Sequence, residues 1–172
     1  MFQSTTLRRA TSALVASLAF AVVACGGDAK APEGGEATPA PAPAQAAAID
    51  GATEYAQTCS VCHQTNGEGM TGVYPPLAGS DIAILPSPDR MIAIVLKGLN
   101  GPVTVKGEKY DGTMAPWESL SDEQIAAITT YERSSWGNTS SAVTPEMVAT
   151  IRAKVAGRTT AWTIEELEKE IP

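Results

Sequence analysis

Cys59-Ser60-Val61-Cys62-His63 is the stretch on which the reading of this sequence turns. Two thiols three positions apart at a helix end can each add to one vinyl group of a haem. The residue that follows then places an imidazole under the iron, and CxxCH is the attachment pattern of a c-type haem. Two other chemistries use paired cysteines. A thioredoxin-like dithiol sits in a βαβ context, which is absent around these residues. A tetrahedral zinc site needs four ligands, and the chain has only Cys25, Cys59, Cys62 and a single histidine to offer. The expectation is one covalently bound haem c.

A second axial ligand has to come from elsewhere, because His63 is the only histidine. Of the five methionines, Met1 opens the chain and Met70 follows His63 too closely to cross to the opposite haem face. Met91 and Met147 fall in predicted helices and read as packing residues. Met114 lies in Gly112-Thr113-Met114-Ala115-Pro116-Trp117, which reads as a loop between helices where a side chain can be aimed at a metal. Given a haem, Met114 is the expected ligand.

Composition agrees with a cofactor protein. Aromatic residues make up 5% of the chain, and a small domain short of aromatics has trouble filling a core. A buried macrocycle supplies the missing apolar volume. The formal net charge is −7, with no basic patch of the kind that grips phosphate backbones, so nucleic acid is not an expected partner.

The N-terminus reads as an export signal over residues 1–24. Arg8 and Arg9 precede an apolar run from Leu14 to Ala24. The run is shorter than the roughly 20 residues that span a bilayer and has the length of a signal h-region. It closes with Val22-Val23-Ala24-Cys25, which resembles a bacterial lipobox, so Cys25 is the expected lipidation site and a membrane the expected anchor. Residues 25–48 follow as a flexible Ala/Pro/Gly linker. Between Gly26 and Ala48 there is no Leu, Ile, Val or aromatic residue, too little apolar surface to offset the entropy of ordering. Fully extended it reaches roughly 70 Å, from about 3.3 Å per residue.

The folded part is expected from Ile49 onward. Asp50 can cap a helix leading to Cys59. Residues 64–87 read mostly as loop, punctuated by glycine and proline. A second helix is expected over about 89–97, ended by Gly98. A looser stretch with a short strand-like pair at Val103 to Val105 comes next. Ser121-Asp122-Glu123-Gln124 makes a capping box for a third helix, with Ile125, Ile128 and Tyr131 along one face. Further helices are expected after Thr144-Pro145 and at Thr163-x-x-Glu166. Arg152, Lys154 and Arg158 read as a solvated helix face.

Over about 49–138 the chain resembles a class I cytochrome c. The carriers are the CxxCH, Gly67-Glu68-Gly69, Tyr74-Pro75-Pro76-Leu77-Ala78-Gly79, Lys97-Gly98-Leu99-Asn100-Gly101-Pro102, the Met114 segment and Tyr131-Glu132-Arg133-Ser134-Ser135-Trp136-Gly137-Asn138. The resemblance implies an all-α fold, with core helices around one covalently bound haem. Residues 139–172 fall outside it and read as a C-terminal helical extension that either wraps the domain or docks a partner. It implies thioethers at Cys59 and Cys62, iron ligation by His63 and Met114, and a Pro75 carbonyl that accepts the His63 ring N–H. Tyr55 and Tyr131 would sit where the first and last core helices cross, as packing residues. Many relatives place proline directly after the methionine; here Ala115 intervenes before Pro116.

An iron with both axial positions filled passes electrons rather than binding peroxide or oxygen. The expected function is therefore electron transfer on the periplasmic side, as a tethered carrier or a subunit of a respiratory or photosynthetic complex. The alternative is a haem enzyme or sensor from which Met114 departs. From Asp50 to Pro172 the chain has 9 basic and 16 acidic residues. The expected redox partner has a positive rim, and association with it slows as salt is added.

Overall fold

The computed structural model describes residues 48–172. The signal segment, Cys25 and all but the last residue of the linker lie outside the described residues. The elements run α1 (Gly51–Thr58), α2 (Ser60–His63), α3 (Asp89–Lys97), β1 (Leu99–Val105), β2 (Glu108–Met114), α4 (Asp122–Ser134), α5 (Pro145–Lys154) and α6 (Ile164–Glu170).

The Asp50 carboxylate accepts the Ala52 N–H at 3.1 Å and starts α1. Further along the chain, the Ser121 hydroxyl accepts from Gln124 N while the Gln124 side chain accepts from Ser121 N, which starts α4. The two helices cross at unusually short range. A Cβ on Gly51 would lie 2.1 Å from the Ala127 carbonyl oxygen, so only glycine admits this approach. Beside the crossing, Tyr55, Tyr131 and Trp136 form a triangle of rings with centroids 5.1–5.4 Å apart, tilted and edge-on as aromatic quadrupoles favour. Tyr55 is buried and its hydroxyl donates to Gln64 O at 2.6 Å.

The stretch between α3 and α4 departs from the all-α expectation. It is an antiparallel hairpin in which all of Leu99–Val105 pairs with Glu108–Met114, so that Leu99 faces Met114. Lys106 and Gly107 form its two-residue turn, with φ of 53° and 81°. Two consecutive positive φ values give the turn whose twist matches that of the flanking strands. Val103, Val105 and Tyr110 are buried on one face of the hairpin. Met114 therefore ends a strand rather than sitting in a loop between helices.

The chain after α4 wraps back over α3 and β1. Trp162 N donates to Gly98 O at 3.0 Å and Asn100 N donates to Trp162 O at 2.7 Å, making a one-residue parallel bridge to Leu99. The buried Trp162 indole donates to Ala93 O at 3.0 Å. Arg158 lies over the indole at 3.6 Å from the ring centroid and binds Glu166. Arg152 donates to Asp122 at 2.7 Å and to the carbonyls of Glu118 and Leu120. These two arginines are thus fastening groups, not the solvated face expected; Lys154 alone is exposed. Their planar guanidinium forks suit carbonyl clusters and aromatic faces.

Trp162→Ala removes the largest fully buried side chain. It should cost about 3–5 kcal/mol in denaturant unfolding. Met147→Ala, at a residue 42% exposed, should stay within about 0.5 kcal/mol of the parent chain.

Candidate cofactor site

Every wall of one cleft is set by the elements just described. Cys59 and His63 enter from the end of α1 and from α2. Pro75 and Leu77 enter from the following loop, Met91 and Val95 from α3, and Met114 from the end of β2. Ile128 and Glu132 close it from α4. The cleft opens to solvent, and about 740 Å³ of non-atom space lies in and before it, open solvent included.

The loop that carries Pro75 has few apolar anchors and is held by captured carbonyls. Asn138 accepts from Gly79 N at 2.8 Å and donates to Leu77 O at 3.0 Å and Glu132 O at 2.7 Å. Arg133, fully buried, donates to the carbonyls of Ala83, Leu85, Pro86 and Ser141. Thus the end of α4 and the turn after it hold residues 77–86 in place.

The loop delivers the Pro75 carbonyl to 2.9 Å from His63 Nδ1. A carbonyl can only accept, so Nδ1 carries the proton and the lone pair of the neutral ring is on Nε2. Burial lowers the His63 pKa, against the opposing Pro75 bond, and favours the neutral imidazole, the form that binds metals. Met114 reaches the cleft from the opposite side in sequence. Its backbone is fixed by pairing with Leu99 and by Gly98, where φ is +78° and a Cβ would lie 2.4 Å from Met114 O. Met91 also lines the cleft, but from α3, whose register is set by the buried Ile92 to Leu96 run.

Of the residues expected from sequence, Cys59, His63, Pro75 and Met114 are thus brought to one cleft. Cys62 is half-buried beside it and not in its lining, and Cys25 lies outside the described residues. Sequence reasoning assigned no role to Glu132, Arg133 or Asn138. The one available signal was the place of Glu132 four residues after Ile128, on the inward face of α4.

Cys59 does not suit thiolate chemistry. Burial, with the Glu132 carboxyl second, pushes the Cys59 thiol up to about 12, whereas redox and metal-binding thiols are shifted down. Among the described residues, no group of three or more His, Cys, Asp and Glu side chains gathers to hold a bare metal ion. An apolar cleft with two adjacent thiols, a neutral imidazole and a thioether fits a haem.

The profile described as "Cytochrome c" matches residues 48–136, and the chain belongs to this family as a class I monohaem c-type cytochrome. It is 41% identical to a cytochrome c-552 of Thermus thermophilus over 116 residues, which is 63% of this chain and 78% of that protein. It is also similar to cytochrome subunits of larger dehydrogenases. It matches the cytochrome c subunit of the quinone alcohol dehydrogenase of Gluconacetobacter polyoxogenes at 30% identity, over 54% of this chain and 20% of that protein. The fructose dehydrogenase cytochrome subunit of Gluconobacter japonicus matches at 34%, over 60% and 22%. The chain carries one covalently bound haem c and transfers electrons without itself being a catalyst. Among the described residues no helix is long and apolar enough to cross a membrane.

The Glu132 carboxyl is 3% exposed, and burial pushes its pKa up to about 8. In the unfolded chain it ionises near the ordinary value of about 4.3. Between these values the folded state holds a proton that the unfolded state has released. Stability should therefore fall as pH rises from about 5 to about 8. Urea unfolding of the holoprotein across that range checks this, and Glu132→Gln should flatten the fall.

Proposed function

We propose that Cys59 and Cys62 hold the haem by thioethers, that His63 Nε2 and Met114 Sδ fill the two axial positions, and that the chain is a six-coordinate electron carrier. The observation that carries this reading is the apolar cleft shared by His63 and Met114, with the imidazole already oriented by Pro75. The bound haem supplies one-electron chemistry at iron. The chain's own residues do the rest. Pro75 holds the proton on Nδ1 and so keeps Nε2 a donor. The hairpin presents Met114 from a backbone paired along its whole length. Pro76, Leu77, Ile94, Val95 and Ile128 exclude water from the cleft. A methionine ligand suits a mid- to high-potential carrier.

The carrier reading extends to location and partners. Cys25, after an export signal, is the lipid attachment point, and residues 26–48 tether the domain at the periplasmic side of a membrane. Val61, between the two cysteines, is 77% exposed, and Met70 and Val73 are about half exposed. Such exposed uncharged groups suit a brief encounter with a redox partner, with the acidic remainder selecting a partner that has a positive rim. The likeness to dehydrogenase cytochrome subunits supports a role beside a dehydrogenase as much as one in a respiratory chain.

Visible spectra test the ligation. The holoprotein should show a low-spin spectrum with a methionine–iron charge-transfer band, and carbon monoxide should leave the reduced form unchanged. Met114→Ala should lose the band, bind carbon monoxide and lower the potential. Ready carbon monoxide binding by the unaltered chain would instead favour a ligand sensor or haem enzyme.

A further inference from the structure

Glu132 is a carboxyl in the wall of the haem cleft, and nothing in electron transfer as described above uses it. A carboxylate at this depth is costly unless a cation or several donors meet it. No lysine or arginine is among the residues that line the cleft. On its own helix, the neighbouring Arg133 guanidinium is turned away and spent on the carbonyls of Ala83, Leu85, Pro86 and Ser141. Tyr131 packs into the aromatic triangle. From α1, Tyr55 faces it with a hydroxyl already given to Gln64 O, and burial followed by the Glu132 charge holds that phenol protonated. Also from the α1 end, the Cys59 thiol is its hydrogen-bonding neighbour.

The charged groups on the other elements packed against α4 are engaged elsewhere or lie outside the cleft lining. On α3, Lys97 pairs with Glu118 and Arg90 donates to Ile171 O, and Asp89 is not in the lining. On α5, Arg152 pairs with Asp122, and Glu146 and Lys154 are exposed. Asn138 is spent on backbone groups, including the Glu132 carbonyl itself. Once Cys59 sulfur is part of a thioether it has no proton to donate. The carboxyl then loses that neighbour while the haem excludes water from the same space. A charge that then bears on it is the one unit by which the iron centre changes between its two oxidation states.

We propose that Glu132 sets the reduction potential of this chain and couples its electron transfer to a proton. This rests on the haem occupying the cleft between His63 and Met114. When the chain accepts an electron from its donor protein, the local positive charge falls by one and the carboxylate becomes a stronger base. A Glu132 carboxylate oxygen then forms an O–H bond with a proton taken from solvent. When the electron leaves for the acceptor, that bond breaks and the proton returns to water. At most one proton moves per electron. Glu132 is therefore more acidic in the oxidised chain than in the reduced one. The potential is high where Glu132 is protonated in both states, falls as pH rises between its two values, and levels at a lower plateau. A tenfold difference in acidity between the two states corresponds to about 59 mV between the plateaus.

The test is a potentiometric titration of the holoprotein at a series of pH values spanning pH 8, the region to which burial pushes Glu132. The unaltered chain should show the two plateaus. Glu132→Gln, which keeps the shape and removes the titration, should hold one potential near the higher plateau. A flat curve for the unaltered chain, or the same slope retained in Glu132→Gln, overturns the proposal. A second readout needs no variant. Infrared difference spectra of the unaltered holoprotein near pH 8 should gain a protonated-carboxyl band on reduction, and its absence also overturns the proposal. The methionine–iron band recorded on the same samples separates the two readings. Its loss counts against Met114 as ligand, whereas a pH-independent potential beneath an intact band counts against Glu132.

Discussion

Gly51 lets the backbone of α1 press against that of α4, and the haem cleft is arranged around this crossing. The approach is set by the missing side chain: any Cβ would meet the Ala127 carbonyl at 2.1 Å. The triangle of Tyr55, Tyr131 and Trp136 locks it. On one side of the crossing α1 runs directly into Cys59 and His63. On the other, α4 supplies Ile128 and Glu132 to the cleft wall, then Arg133, with Asn138 just beyond its end, to the loop opposite. If the helices were held further apart, the Pro75 carbonyl and the His63 ring would no longer be placed by the same support. Packed interiors transmit such shifts rather than absorbing them.

The second half of the site depends on a different support. Met114 ends a hairpin that could not stand alone in water, because two strands bury too little. Its β1 strand is backed by Trp162, which adds one residue of parallel pairing at Leu99, directly across from Met114. Arg152 holds the segment that follows Met114 by the Glu118 and Leu120 carbonyls and Asp122. The chain beyond α4 thus fastens both flanks of the methionine segment.

Much of this was legible beforehand, for reasons that differ by element. CxxCH announces its own chemistry. The Ser121 and Thr163 capping boxes mark α4 and α6 because both partners of each reciprocal bond lie within four residues. The hairpin was only half visible. Gly101, Pro102 and Gly112 dilute its alternation, and Lys106-Gly107 is a weaker turn signal than Asn-Gly. The bridge at Trp162 involves a single residue, so no periodicity could reveal it. Arg133 and Asn138 act on backbone carbonyls, which carry no mark in a sequence. Glu132 was hidden by expectation: a glutamate one turn beyond Ile128 reads as solvated, since charged residues are rarely buried without a partner.

The central claim is that His63 and Met114 face each other across the haem, and Met91, which lines the same cleft, is the natural rival. Proton NMR of the reduced holoprotein, with methionine methyl groups labelled, tests it most directly. A methyl group bound over the macrocycle is shifted far upfield by the ring current. One such resonance is predicted, absent from the spectrum of Met114→Leu. Methionine methyls all at ordinary positions, or a shifted methyl that survives in Met114→Leu and vanishes in Met91→Leu, would contradict the account.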